Sequence, residues 1–288
     1  MRILILGGDG MLGHRLFAHF RQRHEARVTL RRDLAAYSGY GLFDRTNSFD
    51  RVDLRGVDRL SQVLGEFRPE AIISAVGIVK HQAEAADAIM TIEVNALLPH
   101  RLESLCRSSG TRLVHMSTDC VFSGRRGNYS ESDRPDPDDF YGRSKLLGEV
   151  RDTPSLTLRT SIIGPELARK TGLLEWFLSQ RGSIKGFRKA IFSGFTTLEL
   201  SRIIERLLTQ FPRANGIYHV SSAPINKYEL LLLIKQKLGL QVEVKPDDEF
   251  VCDRSLDSTR FRQEFGYDPP RWEAMIDELA RTTKEAAR

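Results

Sequence analysis

Residues 2–17 read RILILGGDGMLGHRLF. A short apolar run (2–6) has the composition of a buried strand, and a helical pattern begins at about residue 11 and runs to about 23. Between them Gly7, Gly10 and Gly13 stand in GxxGxxG spacing. Glycines here permit a tight turn, let the backbone come close to a pyrophosphate, and let the helix pack on the strand. The helix N-terminus then faces the anion. A dinucleotide is the expected ligand, with Gly7, Gly10, Met11, Leu12 and Gly13 as contacts.

The pattern outward from this stretch fits that expectation. Apolar runs at 26–30, 70–76, 111–117 and 155–160 alternate with helical patterns at 57–67, 87–109 and 140–150. Strict alternation predicts a Rossmann-type doubly wound parallel sheet, an α/β fold with helices on both faces. After residue 160 the rhythm changes to helices mixed with short strands. Residues 1–160 are read as the dinucleotide-binding domain, with about 187–220 returning to it, and 161–288 as a smaller mixed α/β substrate lobe. No internal repeat appears.

The end of the second strand selects the dinucleotide. An acidic residue there suits the ribose hydroxyls of NAD, a basic one the extra phosphate of NADP. The chain reads VTLRRD, with Arg31 and Arg32 in place, and arginine's forked donors suit a phosphate. NADP(H) is expected; Asp33 keeps NAD(H) as the less favoured choice. In FDRVDLRG, Asp53 with Leu54 could meet the adenine or be a solvated loop. SAVG (74–77) closes a strand with Ala75, Val76 and Gly77, residues small enough to pass beside a flat cofactor.

In YGRSK, Tyr141 and Lys145 lie four residues apart, on one face if the segment is helical. An ammonium near a phenol favours phenolate and draws it toward working pH, which makes an acid–base catalyst. Upstream, HMSTDCVFSG offers Ser117 and Thr118 at a strand end to hold a carbonyl.

The ordered set GGDGMLG, STDCVFSG and YGRSKLLGE resembles the extended short-chain dehydrogenase/reductases, and within them the dTDP-4-dehydrorhamnose reductase family. The resemblance covers most of the chain. It implies Thr118, Tyr141 and Lys145 as the catalytic trio, Gly7, Gly10, Gly13 and Asp53 around the cofactor, and Asp119 with Cys120 against the sugar. It implies NADPH-dependent reduction of the C4 keto group of a nucleotide-linked 4-keto-6-deoxy sugar, for surface polysaccharide synthesis. Two positions depart from the family: Cys120 stands where it has tyrosine and Ile162 where it has an aromatic residue, which bears on which sugar is bound. Alternatives are a nucleotide-sugar epimerase or dehydratase of the same superfamily, and a non-catalytic NADP-binding regulatory subunit.

Composition sets the remaining bounds. The 288 residues are 41% hydrophobic and 28% charged, ordinary for a folded globular chain. The net charge of +5 is spread without a long basic block, so neither nucleic acid nor membrane is an expected partner. Cys106, Cys120 and Cys252 lack metal-ligand spacing and point to a reducing compartment, with the cytoplasm as default. His81, His115 and His219 show no ligand spacing either. Arg159 could bind a substrate phosphate or pair with a carboxylate, and Lys185 and Arg188, on a polar loop SIKGFRK, could bind the nucleotide diphosphate or be solvated. Trp176 and Trp272 read as lobe core. The apolar helix 198–211 could form a homodimer face or be covered within the chain.

Overall fold

The computed structural model describes residues 1–79, 85, 87–168 and 170–286. His81 lies outside them. In chain order the elements are β1 (Arg2–Leu6), α1 (Met11–Phe20), β2 (Glu25–Thr29), β3 (Ser48–Phe49), α2 (Val57–Phe67), β4 (Ala71–Ser74) and α3 (Ala88–Ile92). A π-helical turn, Glu93–Leu97, leads into α4 (Leu98–Ser109), followed by β5 (Arg112–Thr118), α5 (Phe140–Leu147) and β6 (Ser155–Thr160). Then come β7 (Ile162–Ile163), α6 (Leu173–Ser179), β8 (Ser183–Phe192), β9 (Phe195–Thr196), α7 (Thr197–Gln210), β10 (Gly216–His219) and β11 (Ile225–Asn226). The chain closes with α8 (Lys227–Leu238), β12 (Glu243–Asp253), α9 (Thr259–Phe265) and α10 (Trp272–Ala286).

The expected doubly wound sheet is present: seven strands in the order β10-β6-β5-β4-β1-β2-β3. β1 pairs in parallel with both β2 and β4, β2 with β3, and β4 with β5. The order reverses beside β1, the position where open α/β sheets bind their ligands. Strands covered on both faces must be apolar throughout, and β4, β5 and β6 are buried along their whole length. Leu4, Leu6, Ile72 and Leu113 pack there against Leu60, Val63 and Phe67 of α2 and Leu98, Leu102 and Cys106 of α4.

The chain forms two compact units. One comprises Met1–Ser117, Asp139–Leu158 and Ser201–Ile217; the other Thr118–Asp138, Arg159–Leu200 and Tyr218–Arg288. The second contains a three-stranded sheet, β11-β8-β12, antiparallel at β11 and parallel at β12, and a small parallel pair of β7 with β9.

Two local expectations are corrected. SIKGFRK is not a loop but part of β8; its charged residues face out while Gly186 and Ala190 are buried, and β12 supplies a partner that no local pattern reveals. The eleven-residue β12 accommodates Pro246 because it is an edge strand, and shifts register between Asp247 and Val251. The pattern at 87–109 is not one regular helix, because the π turn interrupts it. The apolar face of α7 is covered within the chain: Leu200, Ile203, Ile204, Leu207 and Leu208 are all buried. Trp272 is core, its indole 5.6 Å from the Phe192 ring and donating to the Ala223 carbonyl, whereas Trp176 is 39% exposed.

Candidate active site

The glycine turn is built as its spacing requires. Gly7 has φ +81°, and a Cβ on Gly13 would lie 1.9 Å from the Gly7 carbonyl oxygen. A Cβ on Gly7 would come within 2.9 Å of Val76 and 3.6 Å of the Ala75 carbonyl, so the SAVG segment runs directly beside the turn. Gly10 caps α1 without any side-chain bond to the first turn, which leaves the Met11 and Leu12 amides for an incoming anion. This cradle, too close for side chains and opening on the first turn of α1, fits a dinucleotide pyrophosphate.

Arg31 and Arg32 follow β2 and are exposed, with the Arg32 guanidinium 5.4 Å from the Tyr37 ring centre. The Tyr37 hydroxyl donates to Asp9 at 2.8 Å in the glycine turn. Asp33 is engaged twice: one oxygen accepts from the Ala35 amide at 2.8 Å, and the other from Arg51. These bonds hold its carboxyl below the usual range. Asp53 accepts from the Arg55 amide and guanidinium and is half exposed, with Leu54 packed against the core of the first unit.

α5 brings Tyr141 and Lys145 onto one helical face. Its N-terminus is fixed by Asp139, whose carboxylate accepts from the Gly142 amide at 2.7 Å. The Lys145 ammonium is fully buried and donates to the Met116 carbonyl at 2.7 Å; the neutral His115 ring lies 3.5 Å away. Burial lowers the Lys145 pKa to about 8, partly offset by the Glu149 carboxylate. Burial and the lysine charge keep His115 far below its ordinary pKa, and therefore neutral. Lys145 is still predominantly an ammonium at pH 7.

Of the two hydroxyls proposed to hold a carbonyl, Ser117 donates to Glu149 at 2.7 Å inside the first unit. Its proton is spent on a buried carboxylate. Thr118, the last residue of β5 and the first of the second unit, donates to Asp119 at 3.1 Å and accepts from the Cys120 amide at 3.1 Å. Asp119 also accepts from Ser161, and the Cys120 sulfur lies 3.6 Å from the Arg254 guanidinium.

Other candidates have structural partners. Arg159 donates to the His219 ring at 3.1 Å and lies over Phe122, and burial and that arginine lower the His219 pKa to about 4. Lys185 pairs with Asp247 at 2.7 Å and Arg188 with Asp248, all on β8 and β12. Among the described residues no cluster of His, Cys, Asp or Glu could hold a metal ion, and no helix is long and apolar enough to cross a membrane.

One residue of the site was missed by sequence reasoning. Asn95, fully buried in the π turn, accepts from the Ile78 amide and donates to the Ile78 carbonyl, both at 2.9 Å, and donates to Ser144 at 3.1 Å. It ties the end of the SAVG segment to the helix of Tyr141 and Lys145. The available signal was a polar Asn inside an apolar helical pattern, four residues before Pro99.

The model of the RmlD substrate binding domain family matches residues 1–285. The chain belongs to this family. A dTDP-4-dehydrorhamnose reductase of Aggregatibacter actinomycetemcomitans is 25% identical over 309 residues, covering 96% of this chain and 98% of that protein. Methionine adenosyltransferase 2 subunit beta of Danio rerio is 30% identical over 177 residues, 58% of this chain and 50% of its own length. The dTDP-4-dehydrorhamnose reductase of Bacillus anthracis, solved in complex with NADP, superposes with a TM-score of 0.80 at 21% identity, covering 98% of this chain and 99% of that one. Its likeness confirms the Rossmann fold.

Proposed function

We propose that the protein is an NADPH-dependent reductase acting on the C4 keto group of a nucleotide-linked 4-keto-6-deoxy sugar, in deoxysugar synthesis. The carrying observation is α5: a tyrosine and a buried, charged lysine on one face of a capped helix, the lysine anchored to the backbone of β5. Family membership and the full-length reductase relative support the same reading.

When bound, NADPH supplies the hydride. The uncapped first turn of α1 and its glycines would hold the pyrophosphate, Arg31 and Arg32 the additional phosphate, and Asp53 the adenine end. Lys145 would hold the nicotinamide ribose, and its charge would lower the cost of the phenolate left on Tyr141. Tyr141 gives its proton to the carbonyl oxygen as that oxygen becomes an alcohol. The resemblance to the reductases gives Thr118 the role of hydrogen-bonding the carbonyl, for which its hydroxyl would turn from the Asp119 carboxylate. Asp119 and Cys120 meet the sugar, and Cys120 in place of an aromatic residue leaves room for a different sugar substituent.

The matches to methionine adenosyltransferase subunit beta support a second reading, a regulatory subunit that binds NADP without turnover. One assay separates them: NADPH oxidation at 340 nm with dTDP-, UDP- and GDP-linked 4-keto-6-deoxy sugars. Oxidation with one sugar, reduced about 10²–10⁴-fold in Tyr141→Phe, is the expected result, since that is the usual size of a general-acid contribution. NADPH binding without oxidation by any sugar would leave the regulatory reading.

A further inference from the structure

The segments that follow β2 and β3 are laced together. Leu30 donates to the Phe49 carbonyl at 2.8 Å, Val52 to the Leu30 carbonyl at 2.9 Å, Arg51 to the Arg32 carbonyl at 3.2 Å, and Leu34 to the Asp50 carboxylate at 3.0 Å. This lacing holds Arg51 at φ +53°, in the left-handed region that side chains other than glycine and asparagine seldom adopt. Its guanidinium closes on Asp33, with Nε 2.8 Å from Oδ2 and Nη2 on the same oxygen. The other oxygen, Oδ1, caps the 3₁₀ segment Leu34–Tyr40 through the Ala35 amide. Both oxygens of the acidic group nearest the end of β2 are therefore occupied, one by an amide and one by a cation.

We infer that Arg51 is a specificity-determining residue that directs the site to NADP by neutralising Asp33; this rests on the reductase reading of the same site. Unpaired, Asp33 would repel the 2′-phosphate of NADP and would accept from the 2′-hydroxyl of NAD. Paired, it does neither, because the Arg51 guanidinium matches its charge. Arg51 acts through Asp33 rather than on the phosphate, which separates its role from that of Arg31 and Arg32.

The test is the ratio of dissociation constants for NADPH and NADH, from fluorescence titration at low ionic strength, in wild type, Arg51→Gly, Asp33→Asn and the double variant. Glycine adopts φ +53° without strain, and asparagine keeps the cap on Ala35 while losing the charge, so both variants retain the local fold. We expect wild type to favour NADPH. Arg51→Gly should lower that preference about fivefold, the scale of one exposed charge pair. Asp33→Asn should hold or raise the preference, and the double variant should restore it. An unchanged ratio in Arg51→Gly, or a double variant as low as Arg51→Gly, overturns the inference while leaving the reductase reading intact. A wild type that binds neither dinucleotide overturns both.

Discussion

Lys145 shows how a single buried charge is made to serve. Its ammonium would be costly in the interior, and burial lowers its pKa from the ordinary 10.5 to about 8. The Met116 carbonyl offsets part of that cost and fixes the side chain against β5. Since the folded value lies below the unfolded one, the unfolded chain holds the extra proton between about pH 8 and 10.5. The cost is complete below 8 and disappears as pH rises through this window. Against a Lys145→Met variant, wild type should therefore gain about 3 kcal/mol of relative stability from pH 7.5 to 10.5, read from urea unfolding at both values. No relative gain would mean that the ammonium is solvated. The same residue was legible in the sequence as a partner of Tyr141, because a spacing of four is a local property of a helix. Its burial, which sets its pKa, was not.

The interrupted helix that carries Asn95 shows what an element adds beyond its residues. Pro99 has no amide hydrogen, so the carbonyl four residues before it, that of Asn95, cannot be satisfied in a regular α-helix. The chain widens there into the π turn Glu93–Leu97. Asn95 is thereby presented to Ile78 and Ser144 rather than to a regular helix neighbour. At Gly148, just after α5, a Cβ would stand 2.0 Å from the Asn95 carbonyl oxygen, so α5 packs onto the π turn through a glycine. Gly148→Ala should cost about 1–3 kcal/mol of stability by overpacking against rigid backbone, and should lower turnover by displacing the Tyr141 helix. Chemical denaturation with steady-state kinetics checks this, and a variant of wild-type stability would show that the helix has room to shift. Periodicity announced a helix over 87–109 but not its break, because a π turn changes the spacing by one residue and leaves the apolar count nearly intact.

Across the whole molecule, each unit buries a neutral histidine: His115 in the first and His219 in the second. His219 donates one ring nitrogen to the Tyr129 carbonyl and accepts from Arg159 on the other, and its pKa sits at about 4. Because the folded value is the lower one, the unfolded chain takes up its proton first. Stability is complete above the ordinary 6.5 and is lost as pH falls toward 4. At pH 5 this histidine alone should remove about 2 kcal/mol relative to pH 7. A His219→Gln variant, although less stable at pH 7, should lose less over the same interval. Equal losses in urea midpoints for the two proteins would place the acid sensitivity elsewhere.

Short-range rules could be read directly from the order of residues. The glycine spacing after β1 and the alternation of apolar runs with helical patterns follow from backbone sterics and helical period and pointed to the Rossmann fold, the basic pair after β2 spoke through its charge, and the resemblance of the ordered motifs carried the reductase reading. What depends on partners far along the chain emerged with the folded arrangement. The SIKGFRK segment became a strand because residues sixty positions away pair with it. Ser117 was committed to Glu149, and Asp33, which had kept NAD in contention, was claimed by Arg51. Hydrogen bonds and ion pairs form between groups that meet in space, and the identity of a residue does not say which partner folding will bring to it.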